Sequence, residues 1–290
     1  MKTILITGCS SGFGFDAAKF LAKKGHNVIA SMRNVNTTNA DAANELLAYA
    51  QSENVSISVL ELDVTSDESV SNAAESLPTI DVLINNAGAG WAGPIEAFSS
   101  DQVLAQLDLN IVGTVRTAKA VLPGMREQGS GLIIQVSSVA GRGSFPAFGV
   151  YNASKWGLEG LSEAMRYELA HLGIDVVLVE PGPFETNFFG NMVGAQDESI
   201  ATAYQHVMEY SESFGQQVQE LYQNPDVPID PQLVIDTFDK LIEMPNGSRP
   251  LRTIAGLDFG FQKINDATEP VRKSLLEDLG LNEWDGPQGY

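Results

Sequence analysis

Through the first 180 residues of this chain, short apolar runs at 3–7, 27–31, 56–60, 81–85, 131–137 and 174–180 alternate with amphipathic segments of helical length. No other feature of the sequence restricts the fold as strongly. Near-continuous apolar runs suit strands covered on both faces, and strand, helix, strand is the unit from which parallel sheets are wound. The alternation predicts an α/β fold in which a parallel sheet lies between two helical layers. A weaker seventh run covers 250–255, and helices are expected at 12–24, 39–52, 67–76, 101–128, 151–171 and 231–243. Thr65 with Glu68 reads as a capping box for the third of these helices, and Asp230 before Pro231 as the cap and first residue of the last.

A chain of 290 residues, 43% of them apolar, is enough for one large domain, and 1–290 is read as one. From about 184 to 224 the strand rhythm stops, and Phe188, Phe189, Met192, Tyr204, Met208, Tyr210 and Phe214 stand among polar residues. This stretch reads as an insertion covering a site, and about 256–290 as a C-terminal extension. The single cysteine, Cys9, has no internal partner for a disulfide, and no Cys/His group has zinc-ligand spacing, so no metal is expected. A reducing cytoplasm is the expected location. The apolar run after Met1 is too short for a signal peptide, and none reaches the roughly 18 to 20 residues that span a bilayer. A net charge of −20 argues against nucleic acid and anionic membrane as partners.

After the first strand comes TGCSSGFG at 7–14, a turn that opens directly into a helix. Glycine permits the tight turn and a close approach to a pyrophosphate, whose charge the helix N-terminus favours. Gly8, Ser10, Ser11, Gly12, Phe13 and Gly14 are therefore candidate cofactor contacts. At the end of the second strand, where an acid holds the ribose of NAD, stand Met32 and Arg33. A guanidinium pairs with a 2′-phosphate that a carboxylate would repel, which favours NADP(H). A solvated loop arginine is the plainer reading. Asp63 is placed to meet the adenine amino group, though Asp at a strand end is also a common turn residue.

Tyr151 and Lys155 lie four residues apart, hence on one face of a helix and one turn from each other. An adjacent ammonium favours phenolate, which brings the tyrosine towards the range useful for acid–base catalysis. The same pair also occurs as an ordinary surface pair.

Together with NNAG at 85–88, Asn110, QVSSVAG at 135–141 and PGPFET at 181–186, these motifs make the sequence resemble the short-chain dehydrogenase/reductase family in its compact form. The resemblance covers about two-thirds of the chain in order. It implies a Rossmann-like doubly wound sheet of about seven strands in a three-layer α/β/α arrangement. It also implies hydride transfer between a nicotinamide and a carbonyl or secondary alcohol, with Tyr151 as proton donor or acceptor. Lys155 would hold the nicotinamide ribose, Ser138 the substrate oxygen, and Asn110 a water in the proton relay. Asp63 with Val64, the turn residues Asn85, Asn86, Ala87 and Gly88, and the segment Pro181, Gly182 and Thr186 would line the cofactor. Trp91, Phe145, Phe148, Phe184, Phe188, Phe189 and Met192 are candidates for an apolar substrate pocket, or for core. The family implies a homodimer or homotetramer formed through the helices at 101–128 and 151–171. A cofactor-binding sensor or scaffold without turnover is the alternative, and the intact Ser138, Tyr151, Lys155 and Asn110 set argues against it. The extended epimerase and dehydratase branch has longer chains and a differently spaced glycine turn.

Overall fold

A computed structural model of the chain describes residues 1–288. Seven strands form one parallel sheet: β1 (Thr3–Thr7), β2 (Asn27–Met32), β3 (Ile57–Glu61), β4 (Val82–Asn85), β5 (Gly131–Val136), β6 (Ile174–Pro181) and β7 (Arg252–Ala255). Their order is β3-β2-β1-β4-β5-β6-β7, so the winding reverses between β1 and β4. A crevice opens there at the carboxyl ends of the strands, where open α/β sheets take their ligands. Each strand lies within two residues of its expected place at either end. The agreement has a physical cause, since a parallel sheet buries both faces and its strands must be mostly apolar. All eight residues of β6 are buried.

Successive side chains of a strand point to opposite faces, and the core divides accordingly. Ile4 and Ile6 pack with Leu21 of α1 (Gly12–Lys23), Leu46 of α2 (Ala40–Glu53) and Phe238 of α9 (Gln232–Glu243). Leu5 packs on the other face with Val121 and Met125 of α5 (Gly113–Gln128) and Leu169 of α6 (Gly149–Ala170). Val70 and Ala73 of α3 (Asp67–Ser76) extend that layer.

Local departures from expectation have local causes. Ser66, not Thr65, caps α3: its Oγ accepts from Ser69 N at 3.1 Å, while Thr65 Oγ1 donates to Asp63 Oδ1 at 2.7 Å. Pro231, not Asp230, stands at the N-cap of α9, although the Asp230 carboxylate still accepts from Gln232 N at 2.9 Å. The helix expected at 101–128 is broken: α4 (Ser100–Leu107) passes through a π-helical turn at Asp108–Val112 before α5 begins. The stretch without strand rhythm holds two helices, α7 (Glu198–Ala203) and α8 (Gln205–Tyr222), and α10 (Gln262–Asp278) follows β7.

A buried ion network fastens the C-terminal segment to this frame. Asp175 of β6 is fully buried, and its oxygens accept from Arg166 Nη1 at 2.7 Å and Arg249 Nη1 at 3.1 Å. Arg166 also pairs at 2.9 Å with Asp285, which Arg272 holds at 2.8 Å.

Candidate active site

The turn between β1 and α1 is built around glycine for two different reasons. Gly8 has φ +72°, and a Cβ there would stand 2.8 Å from Ala87 Cα. At Gly14 a Cβ would meet Asn86 Nδ2 at 2.5 Å and Gly8 O at 2.7 Å, so close packing alone requires glycine. Asn86 ties this turn to the one after β4, since its Nδ2 donates to Thr7 O at 2.9 Å and Gly8 O at 3.2 Å. Thr7 Oγ1 in turn accepts from Asn86 N and Ala87 N, each at 3.0 Å. At Gly12, by contrast, a Cβ would meet nothing nearer than the Thr186 side chain at 3.9 Å. The backbone of the turn is thus uncovered at Gly12, with the Thr186 side chain its nearest neighbour.

The neighbours divide between the uncovered turn and its frame. Ser10 is half-buried, and Ser11, the N-cap of α1, is exposed and makes no capping bond with its side chain. The Phe13 ring packs edge-on against Phe184 at 5.4 Å, so what Phe13 offers the crevice is its backbone. Asn85 faces away, its Oδ1 accepting from Thr117 Oγ1 at 2.6 Å. Arg33 is exposed at the end of β2 and pairs with no carboxylate among the described residues. Glu61 holds the loop that follows, accepting from Asn34 N at 2.7 Å and Val35 N at 2.8 Å. Asp63 uses Oδ1 on Thr65 N at 2.9 Å, and Val64 is buried against Gly113.

Tyr151 and Lys155 enter the crevice from the first turns of α6, both buried, and Ser138 meets them from the end of β5. Ser138 Oγ accepts from Ala140 N at 3.1 Å and donates to Pro181 O at 3.4 Å, which fixes it between β5 and β6. Lys155 Nζ donates to Val136 O at 2.8 Å and lies 5.8 Å from the centre of the Tyr151 ring. Burial pushes the Tyr151 phenol up to about 12, with Ser138 pulling the other way. This is opposite to the direction expected from the ammonium, because the loss of water around a buried phenolate dominates. Burial also brings Lys155 down to about 8, against the pull of Glu159.

Asn110 sits in the π-helical turn, and such turns place a side chain where a regular helix would not. Its Nδ2 donates to Ser154 Oγ at 2.9 Å and Ala89 O at 3.1 Å, and its Oδ1 accepts from Ala89 N at 3.3 Å. A Cβ on Gly88 would press on that oxygen at 3.2 Å. Gly182 has the tightest fit of the last segment, with a Cβ 2.0 Å from Leu257 O, and its N–H donates to Ala255 O at 3.0 Å.

Sequence reasoning missed Gln106, fully buried in α4, which accepts from Trp91 N at 2.9 Å and donates to Ala89 O at 3.0 Å. It also missed Phe259 and Phe261, which pack against Phe145 at 6.2 Å and 5.9 Å. Of the pocket candidates, Phe188 lies 5.4 Å from the Tyr151 ring with Phe189 against it, Phe145 and Phe148 meet Phe214 of α8, and Phe184 turns into the core. A cavity of about 360 Å³ lies between residues 92–94 and the insertion, lined by Ala195, Thr202, Gln205 and Met208. Far from these residues, His26, Asp239 and Glu243 converge, but the Lys24 ammonium already holds Asp239 at 2.9 Å.

The family model for short chain dehydrogenase matches residues 2–197. The chain belongs to the short-chain dehydrogenase family. Human retinol dehydrogenase 8 is 41% identical over 66% of this chain, though the match spans only 62% of that protein's length. Human 17-beta-hydroxysteroid dehydrogenase type 1 is 37% identical over 77% of this short-chain dehydrogenase and 70% of its own length. A crystallised serine dehydrogenase complexed with NADP+ superposes with a TM-score of 0.72 at 25% identity, covering 88% of this chain and 94% of that one. The chain is thus a member of an oxidoreductase family with the three-layer fold its strand rhythm predicts. Among the described residues, no helix is long and apolar enough to cross a membrane.

Proposed function

We propose that the chain acts as one NADP(H)-dependent domain that transfers hydride between the nicotinamide and a carbonyl or secondary alcohol of an apolar small molecule. The observation that carries this reading is the convergence of Ser138, Tyr151 and Lys155 at the crevice that the glycine turn opens. The uncovered backbone at Gly12 beside Thr186 fits a dinucleotide, which when bound supplies or accepts the hydride. The protein supplies the rest. In reduction the Tyr151 hydroxyl gives its proton to the carbonyl oxygen, Ser138 donates a hydrogen bond to that oxygen, and the Lys155 ammonium stabilises the phenolate left behind. Asn110 anchors the start of α6 to the 88–90 turn, through Ser154 and Ala89, and so holds Tyr151 and Lys155 at one height. In oxidation each proton moves in reverse. Phe188, Phe189 and the Phe145, Phe148 and Phe214 group offer the substrate an apolar wall. Two relatives whose names refer to retinol and hydroxysteroids support an apolar substrate. Assembly as a homodimer or homotetramer in the cytoplasm belongs to the same reading. An assay of aldehydes, ketones, retinoids and steroids with NADPH tests it, and no NADPH oxidation with any of them would overturn it.

Lys155→Ala is expected to weaken NADPH binding as well as turnover, because one ammonium serves both the ribose and the Tyr151 phenolate. In the wild type, carbonyl reduction should decline as pH rises through about 8, where Lys155 loses its proton. Fluorescence titration of NADPH across this range checks both points. An unchanged dissociation constant in Lys155→Ala would remove the ribose role.

NADPH preference is assigned to Arg33. A charge-assisted bidentate contact is worth on the order of 1.5 to 3 kcal/mol, so Arg33→Ala should cost about ten- to a hundredfold in kcat/KM for NADPH and little for NADH. Met32→Asp is the weaker test, because Met32 is 2% exposed and its carboxylate replacement would be buried in the core. A wild type that prefers NADH would overturn the assignment.

A further inference from the structure

Behind Ser138 and Lys155 stands a second group of ionisable side chains that none of these steps uses. Glu159 lies one turn beyond Lys155 on α6, and Glu180 precedes Pro181 on β6. Their side chains are 3% and 0% exposed. Arg252 of β7 donates from Nε to Glu159 Oε2 at 2.8 Å and from Nη2 to Glu163 Oε2 at 2.7 Å, and its Nε is 3.8 Å from Glu180 Oε1. Arg142, in the loop after β5, is 3.9 Å from the same Glu180 oxygen, but its hydrogen bonds go to Asn265 and Thr268 of α10 at 2.7 Å and 2.9 Å. Asn265 Nδ2 donates to Glu180 Oε2 at 2.5 Å.

Glu180 Oε1 remains without a donor among the described residues, whereas the buried Ser137 hydroxyl stands against Glu159 and favours its ionised form. A Cβ on Gly141 would stand 2.8 Å from Ser137 Oγ and 3.2 Å from Glu159 Oε1, which places those two atoms around one spot. Buried acceptors without donors are costly, and two neighbouring carboxylates out of water repel. A proton on one of them relieves both costs, since a carboxylic acid is itself a donor.

We propose that Glu159 and Glu180 share one proton at neutral pH, as a carboxylate and a carboxylic acid, and that ionised Glu159 is a positioning residue that keeps Lys155 an ammonium. Glu180 is the protonated member: burial and the Glu159 charge push it up to about 8. Glu159 keeps the direct guanidinium bond, although burial raises it as well. The groups facing the pair are Lys155 and Glu163 on α6, Arg252 on β7, Arg142 and Ser137 after β5, and Asn265 on α10. The second half of the proposal rests on the roles given above to Tyr151 and Lys155.

The test is a carbon-13 NMR titration of protein labelled at the glutamate carboxyl, in the wild type, Glu159→Gln and Glu180→Gln, without cofactor or substrate. One resonance should titrate near pH 8 in the wild type, vanish in Glu180→Gln, and move down by at least about one pH unit in Glu159→Gln as the partner charge is lost. If every glutamate titrates below about pH 6, within the ordinary carboxylate range and its scatter, the shared proton does not exist. The second measurement is the pH profile of carbonyl reduction with NADPH. Glu159→Gln should move the alkaline decline down by about half a unit or more, with Glu159→Asp recovering part of it. A decline at the wild-type pH in folded Glu159→Gln would end the positioning role. Should Glu159→Gln fail to fold, the wild-type and Glu180→Gln titrations still decide the shared proton, and the Glu159→Asp profile decides the positioning role. The titration needs no turnover, so its failure is distinguishable from failure of the catalytic reading.

Discussion

Tyr151→Phe is expected to lower turnover by at least about a hundredfold, the usual effect of removing a general acid, while NADPH binds nearly as in the wild type. The phenol is buried beside Ser138 and within one helical turn of Lys155, and among the described residues no other proton donor in the crevice has a cation so near. Removing one oxygen leaves the ring in contact with Phe188, so packing survives and the loss falls on proton transfer. Ser138 does not replace it as the acid, because it lacks a neighbouring cation to stabilise its alkoxide. Stopped-flow measurement of hydride transfer, alongside fluorescence titration of the cofactor, separates the two effects. Near wild-type turnover in Tyr151→Phe would mean that the proton travels by another route, and the acid–base assignment would fail with it.

Asp175→Ala should produce the largest loss of stability of any single charge removal in the chain, on the order of 3 to 5 kcal/mol. The carboxylate is fully buried between Arg166 and Arg249, and both guanidiniums are themselves less than a tenth exposed. Without it two like charges face each other out of water, and neither can move far, because Arg166 is also held by Val176 O and Asp285, and Arg249 by Leu241 O and Met244 O. The Lys19–Glu45 pair is the natural control. Its glutamate is 62% exposed, and Lys19→Ala should cost no more than about 1 kcal/mol, the upper range for surface pairs. Urea unfolding of the three proteins decides the matter, and equal midpoints for Asp175→Ala and Lys19→Ala would show that the buried network adds nothing to stability.

The parts of the molecule that sequence reasoning reached share a short range. A parallel strand announces itself because both of its faces are buried, so β1, β4, β5 and β6 are mostly apolar, with Asp175 and Glu180 of β6 as the charged exceptions. The glycines of the first turn are legible because Gly8 and Gly14 are needed by atoms of the turn itself or of the β4 turn beside it, and Gly12 by its positive φ of +59°. Tyr151 and Lys155 share a helical face through spacing alone.

What escaped was settled by partners distant in the chain. The apolar residues of α8, Val207, Tyr210, Phe214, Val218 and Leu221, recur at helical spacing but stand among polar neighbours and only Val218 is fully covered, while α10 carries Pro270 in its interior. Met32 looks like a cofactor-facing residue in sequence, yet the pleat of β2 directs it into the core. The break that turns Asn110 towards Ala89 and Ser154 is a π-helical turn, which no periodicity in 101–128 reveals. The direction of the Tyr151 and Lys155 shifts was likewise a tertiary outcome, because spacing gives the distance between two groups along a helix but not the water they lose on burial. Sequence alone therefore determined the sheet, the glycine turn after β1 and the shared helical face of Tyr151 and Lys155, all of which depend on local pattern. Only the tertiary structure decided which charges are buried together, as at Asp175 with Arg249 or Glu180 with Asn265, since electrostatic pairing acts through space and leaves no period in the chain.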